Sequence, residues 1–420
     1  MFFTFAAKVT FTHCACEKFA YCRRGSKSFF HKRAVLIVDP RMRKYSRVIA
    51  SHLSMKPLSL YIHVPFCTRR CSYCSFYHVE AQREREVRFV DALVSEIGAA
   101  MPASDEVVLH TIFVGGGTPT VLGNDSWERI MEALAPWMPA GGPAEFTVEM
   151  NPEDVTREMV VFLRSLGVNR ASLGIQSMHE VGQKVLKRCT PEINVRAIET
   201  VMHELDNVSF DVLLGVPKTT PDDLVRTVTA LVQYRPRHLS VYGLEAGGDM
   251  SHEVERFFAA VDPDRVADEY LAVCNTLGAA GYRHYEVSSY AQPGFESLHN
   301  RVYWDGGAYL GLGPAAHSSL GGQRFWNEPS LDSYLSRSGP EHVAARHVDV
   351  VEDEGIERLM LALRTDRGLA MENLSRGAAV VEHFCREGLL AADGGRIRAT
   401  DRGYLVLNEL VLRLSEGASC

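Results

Sequence analysis

The 420-residue chain contains no stretch approaching the roughly 18 consecutive apolar residues of a membrane-spanning helix. It also lacks an excess of positive charge. Its 45 Lys and Arg stand against 52 Asp and Glu, and a formal charge of -7 argues against wholesale nucleic-acid binding. No secretory leader is expected, because Lys8 interrupts the only apolar N-terminal stretch before it reaches h-region length. No solenoid repeat and no low-complexity tract is present. The ten cysteines are too scattered for a small disulfide scaffold and fit a reducing cytosol, so a cytoplasmic location is expected.

What is present suits a soluble globular protein. With 46% apolar and 23% charged residues, the chain is long enough for one large core plus a smaller domain. Charge is uneven: residues 1–56 hold twelve Lys and Arg against only Glu17 and Asp39. Such a basic, acid-poor extension reads as a transit peptide, a basic arm, or sequence upstream of a true start at Met55. The last is preferred, since the first strand-like run begins just after Met55; a transit peptide would make the location mitochondrial.

From Leu58 onward strand-like runs alternate with amphipathic helical patterns. Strands are expected at 58–64, 111–114, 145–150, 170–175, 207–214 and 238–244, with helices near 83–100, 125–136, 154–166, 179–188, 191–205 and 221–233. This order implies an α/β fold, a partial (β/α)6 TIM-like barrel with a parallel sheet and its chemistry at the C-terminal strand ends. Cys67, Cys71 and Cys74 follow the first strand and Gly115-Gly116-Gly117-Thr118-Pro119 the second; Glu149 ends the third, Gln176 follows the fourth, Asp211 lies in the fifth and Glu245 follows the sixth. They are expected on one rim. Residues 282–326 are rich in aromatics, Gly and His, 327–346 read as a linker, and 347–420 follow the order of a winged helix. The last helix carries no basic stripe, so packing is its expected role.

Residues 67–74 read CTRRCSYC, three thiols with no fourth. A structural zinc site takes four ligands, usually as two paired knuckles, and no second C-x2-C lies nearby. Three thiolates on a short loop suit a cubane iron–sulfur cluster whose fourth iron takes a non-protein ligand. Zinc and three unrelated buried thiols are the alternatives. Cys14, Cys16, Cys22, Cys189, Cys274, Cys385 and Cys420 read as ordinary core or surface thiols.

The C-x3-C-x2-C spacing with Tyr73, followed by GGGTP, resembles the radical SAM superfamily. YIHVPFCTRRCSYCSF, EMNPEDV, SLGIQS, FDVLLGVP, YEVSSYA, HNRVYW and GLGPAAHS narrow the resemblance to the group of oxygen-independent coproporphyrinogen III oxidase (HemN) and the haem chaperone HemW, over about residues 57 to 415. The oxidase continues its motif as C-x2-C-x-C, whereas Ser75-Phe76 follow Cys74, and the H-N-x-x-Y-W box stands intact at 299–304. The chaperone branch is therefore the expected one. The rivals are coproporphyrinogen decarboxylation and another radical SAM activity on a tetrapyrrole.

The resemblance implies a radical SAM barrel with its haem-motif segment over 57–326. It implies a [4Fe–4S] cluster on Cys67, Cys71 and Cys74, S-adenosylmethionine (SAM), haem, a haem-acceptor protein, soluble or membrane-associated, and an electron donor, with no catalytic residue assigned. Tyr61 and Tyr73 would stand beside the cluster, and Gly116, Gly117 and Thr118 beside the methionine moiety. Glu149, Gln176, Arg188 and Asp211 resemble further SAM contacts, with Gly243 and Leu244 weaker ones. His299 would be the haem-iron ligand, walled by Tyr303 and Trp304. His317 is a second candidate, and His63 a support for the cluster loop.

Overall fold

The computed structural model describes residues 55–243, 256, 259, 262–374 and 378–416. Six strands run parallel in chain order: β1 (Lys56–Val64), β2 (Val107–Gly116), β3 (Glu145–Met150), β4 (Arg170–Gln176), β5 (Asn207–Leu213) and β6 (His238–Tyr242). Each obeys the period of two that a strand imposes on its side chains. Leu60, Ile62, Ile112, Phe146, Val148, Leu173, Phe210 and Leu239 are at most 1% exposed and join one hydrophobic core with the helices. The alternating positions Ser59, Tyr61, Thr111, Glu149, Ser172, Asp211 and Ser240 give the opposite face a polar lining. The sheet thus turns its apolar side to the helices and its polar side to the lumen.

The helices supplying that apolar layer are α1 (Arg83–Ala100), α2 (Asn124–Leu134), α3 (Arg157–Ser165), α5 (Pro191–Glu204), α6 (Pro221–Gln233) and α7 (Pro263–Ala279), while α4 (Glu180–Leu186) places Leu186 in a separate small cluster with Leu213 and Val216. Their starts are encoded locally. At α6 the Thr220 hydroxyl accepts from the Asp223 amide at 3.3 Å while Asp223 accepts from the Thr220 amide at 2.8 Å, a reciprocal cap.

After α7 the chain extends the sheet at both edges. Strand β7 (Arg283–Glu286) pairs antiparallel with β8 (Ser289–Ala291), which itself pairs antiparallel with β6; α8 (Leu298–Trp304) then leads to β9 (Tyr309–Leu312), parallel to β1. Antiparallel β10 (His317–Leu320), β11 (Gln323–Trp326) and β12 (His347–Asp349) follow. Among the described residues the order is β12-β11-β10-β9-β1-β2-β3-β4-β5-β6-β8-β7.

Residues 327–346, expected as a linker, are part of the packed body. They form the short helices Leu331–Leu335 and Pro340–Ala344, and Leu331 and Tyr334 are 1% and 2% exposed. The Tyr334 hydroxyl donates to Glu96 of α1 at 2.7 Å. The expected boundary at 347 also fails, because β12 pairs with β11 of the main sheet and one compact unit runs from Lys56 onward. Polar composition suggested a linker; the burial of Leu331 and Tyr334 in the first helix and His342 in the second overrides it.

The terminal region keeps the expected order: helices Glu354–Leu363 and Ala378–Arg386, then strands Leu390–Asp393 and Arg396–Ala399 around a Gly394-Gly395 turn with φ of 55° and 74°. The C-terminal helical stretch forms two helices, Asp401–Leu405 and Leu407–Glu416, broken at Val406. Residues 1–54, with their basic extension, and the candidates Leu244 and Glu245 lie outside the described residues.

Candidate functional site

Beyond β1, Phe66–Cys67 pairs with Val79–Glu80, closing the cysteine-bearing loop at its base. Its middle is pinned to α4: the Ser72 hydroxyl donates to the Val185 carbonyl at 2.7 Å and the Ser72 amide to Leu186 at 3.4 Å. Tyr73 packs on Leu186, Leu213 and Val216. This anchoring turns Cys67, Cys71 and Cys74 into a fixed, half-buried set of free thiols.

Two donors reach the sulfurs. The Thr118 hydroxyl lies 3.4 Å from Cys67 Sγ, and Arg188 Nη1 lies 3.5 Å from Cys71 Sγ. Burial pushes Cys67 up to about 11 and Cys74 up to about 12, so ionised sulfur here calls for a bound cation. Among the described residues only Cys274, His284 and Asp401 bring three such donor atoms within 4.8 Å of one another. The three loop thiols stand wider than the ~3.8 Å sulfur spacing of a single tetrahedral zinc, which suits a multi-iron cluster better.

The glycine-rich segment packs against this loop. A Cβ on Gly115 would lie 2.7 Å from the Glu149 carboxylate, one on Gly116 2.5 Å from the His63 ring, and one on Gly117 2.5 Å from the Phe66 carbonyl oxygen. Gly116 also has φ of 103°, a conformation open to glycine. The space the missing side chains leave is therefore filled by the protein itself: Glu149 of β3, His63 of β1 and the Phe66 backbone at the base of the cysteine loop. Thr118 is tied in by its amide to Phe66 O at 2.6 Å and by Asn151 Nδ2, which donates to its hydroxyl at 2.6 Å.

The expected polar residues converge on the same end of the sheet. Glu149 accepts from the Gly116 amide at 3.0 Å. Asp211 accepts from Ser172 Oγ at 3.0 Å. Burial raises Glu149 from 4.5 to about 7, aided by the nearby Asp211 charge, and burial raises Asp211 from 3.8 to about 6. Two carboxyls held up in this way fit a site that receives a cation. Gln176 takes a left-handed φ of 65° at a register shift in β4, and its Oε1 is buried without a hydrogen-bond partner. Lys187, with φ of 55°, ends α4 and turns Arg188 inward, where Nη2 donates to Gly174 O at 2.6 Å and Nη1 to Asn151 at 2.8 Å. Gly243 has open space around its Cβ position.

His63 supports the loop as expected. Its Nε2 donates to the Tyr77 carbonyl at 3.0 Å, leaving Nδ1 to accept from the Tyr61 hydroxyl at 3.0 Å, and burial lowers its pKa to about 4.

His299 stands elsewhere. It is 0% exposed, with Nδ1 2.8 Å from Thr111 Oγ1 and Nε2 2.8 Å from the Tyr303 hydroxyl. Both ring nitrogens are taken up by the protein, so the expected iron ligand has no nitrogen to offer in this structure. Glu145 fixes the helix: its carboxylate accepts from Ser297 Oγ at 3.1 Å and from the amides of Leu298 and His299 at 2.8 and 3.1 Å. An anion on the first amides of α8 seats that helix against the start of β3. Tyr303 meets Tyr309 edge-on at 4.6 Å, and Trp304 is 5% exposed.

Residues 61–231 match the Radical SAM superfamily. The haem chaperone HemW of Mycobacterium tuberculosis is 35% identical over 378 residues, covering 86% of this chain and 95% of that protein. The chain belongs to the radical SAM superfamily, in its HemN/HemW group. HemW of Lactococcus lactis is 30% identical, over 84% of this chain and 96% of its own length. The structure of coproporphyrinogen III oxidase (HemN) from Escherichia coli superposes with a TM-score of 0.71 at 21% identity, covering 88% and 93% of the two chains, and shows the shared fold.

Three residues of this radical SAM protein's site escaped the sequence reading. Asn151 links Arg188 to Thr118. Ser172 holds Asp211. Arg170, 2% exposed, turns its guanidinium onto Thr147 at 3.4 Å within the lumen. The signals were available: Asn151 lies inside EMNPEDV, and a charged residue opening the apolar strand RASLGI is itself unusual.

Proposed function

We propose that this radical SAM protein is a haem chaperone, binding a [4Fe–4S] cluster, SAM and haem, and delivering haem to an acceptor protein. The observation that carries the reading is the cysteine loop. Three anchored thiols face the rim, while the fourth cysteine position of the oxidase pattern, two residues beyond Cys74, is held by half-buried Phe76. The names of the relatives support the same branch.

In this reading Cys67, Cys71 and Cys74 hold three irons. Arg188 and Thr118 donate to their sulfurs, lowering the electron density on them. Glu149 and Asp211 offer acceptors for ribose hydroxyls or the methionyl ammonium, Gln176 contributes its unpartnered carbonyl oxygen, and Tyr61 and Tyr73 wall the loop. Gly116 and Gly117 act by letting His63 and Phe66 approach, which places Thr118. When bound, the cluster supplies one-electron reduction of the SAM sulfonium, and an external electron donor is then required.

The test is anaerobic. Purified, reconstituted protein should contain iron and labile sulfide, bind haem in a spectroscopic titration, and yield no protoporphyrinogen from coproporphyrinogen with SAM and a reductant. Sustained decarboxylation would replace this reading with the oxidase. Tetrahedral zinc without sulfide would remove the cluster.

A further inference from the structure

Cys274 reads in the sequence as an ordinary core thiol, and it takes no part in the rim site. The structure gives it ionisable neighbours. On α7, Tyr270 and Cys274 lie one turn apart and share the buried face. On the sheet, His284 of β7 pairs directly with Tyr290 of β8, which places both side chains on one face. Asp401 opens the helix Asp401–Leu405 of the terminal region, positioned by the Thr400 cap, whose hydroxyl accepts from the Gly403 amide at 3.1 Å. Three segments remote in sequence thus bring Cys274 Sγ, a ring nitrogen of His284 and a carboxylate oxygen of Asp401 within 4.8 Å of one another.

The hydrogen bonds decide what this trio can hold. The Tyr270 hydroxyl donates to the Val287 carbonyl at 3.0 Å. His284 Nε2 lies 3.4 Å from both of those oxygens, neither of which has a hydrogen to give it, so Nε2 carries the ring hydrogen and donates. The Nδ1 lone pair then faces the Asp401 carboxylate at 2.7 Å, two acceptors in contact. Such a contact requires a cation, either a proton or a metal ion. A proton satisfies two of the three donors; a metal ion satisfies all three. The donors are also held in shape. The Tyr290 ring stacks on the imidazole with centroids 4.2 Å apart and planes 15° apart, and its hydroxyl lies 3.0 Å from Cys274 Sγ, within reach to donate to a thiolate. Partners that orient a ligating imidazole and sulfur in this way are the usual surroundings of a metal.

We infer that Cys274, His284 and Asp401 form a zinc site that clasps the terminal region to α7 and β7. Magnesium and calcium take oxygen ligands, whereas thiolate, imidazole and carboxylate are together the donors of zinc. Ligand atoms of a tetrahedral zinc shell stand about 3.3–3.5 Å apart, so a small opening of the His284–Asp401 contact admits the ion. Burial pushes the Cys274 thiol up to about 12, and zinc therefore displaces its proton, which passes to solvent with the one shared by His284 and Asp401. Burial decreases from Cys274 through His284 to Asp401, so the fourth position opens toward solvent and takes water. The site is separate from the cysteine loop and does not depend on the chaperone reading.

The experiment equilibrates the cluster-loaded full chain, its loop thiols occupied by iron, with zinc and removes the excess by dialysis. Zinc and iron per chain are then measured for wild type, C274S and H284Q, with circular dichroism reporting on folding. Wild type should retain about one zinc. Folded C274S and H284Q should bind zinc at least about tenfold more weakly with iron unchanged. A second measurement titrates cobalt(II) into C67A/C71A/C74A, where the visible bands of tetrahedral, thiolate-bound cobalt should appear and should vanish once C274S is added. A wild-type chain that retains no zinc would overturn the site. So would undiminished zinc in folded C274S and H284Q, or cobalt bands that disappear with the loop cysteines.

Discussion

Replacing Glu149 by Gln tests the electrostatics of the lumen directly. Glu149 keeps its acceptor for the Gly116 amide when exchanged for Gln, so the change is mainly one of charge. Its carboxyl is raised from 4.5 to about 7, first by burial and then by Asp211. An acid raised in the folded state binds more protons there than in the unfolded chain between those two values. Stability of the ligand-free protein therefore falls as pH climbs from about 4.5 to about 7 and levels off above. At 1.36 kcal/mol per pH unit the full penalty is about 3 kcal/mol, and partial exposure of the side chain reduces it to about 2. Urea melts of the ligand-free protein should show E149Q more stable than wild type by about 2 kcal/mol at pH 8, with the difference vanishing below about pH 4. SAM binding should move the opposite way: wild-type affinity rises through pH 7, and E149Q loses about tenfold at pH 8. Equal destabilisation of E149Q at both pH values would refute the account of a strained carboxylate held for a cation.

Three further outcomes follow from the packing. Gly116→Ala places a Cβ against the His63 ring in a left-handed backbone, and should lower stability by about 2–4 kcal/mol, read from denaturant midpoints. Cys71→Ala should lose most bound iron, measured by metal analysis after anaerobic reconstitution, while the metal-free protein unfolds within about 1 kcal/mol of wild type. His299→Ala leaves Thr111 and Tyr303 without their buried partner, so it should destabilise the metal-free protein by about 2–4 kcal/mol, where an exposed ligand would give almost none.

Much of the architecture was legible because its signals are local. The runs at 145–150, 170–175 and 207–214 alternate apolar and polar residues, helices such as 83–100 carry their periodicity within a few turns, and 221–233 adds its own cap. The cysteine spacing and GGGTP were equally visible. Residues 327–346 misled because short polar helices carry few apolar positions, and Tyr334 finds its partners Phe89 and Glu96 on α1, far away in sequence.

Sequence alone determined the alternating fold, the trio of thiols and the group to which the chain belongs, because each is written in residues close together along the chain. Tertiary structure decided what those residues touch. Register across β1, β2 and α8 fills both nitrogens of His299, the turn at Lys187 delivers Arg188 to Cys71, and pairing of β10, β11 and β12 lines up His317, Trp326 and His347. Hydrogen-bond partners are chosen by strand register, and register is a property of the assembled sheet.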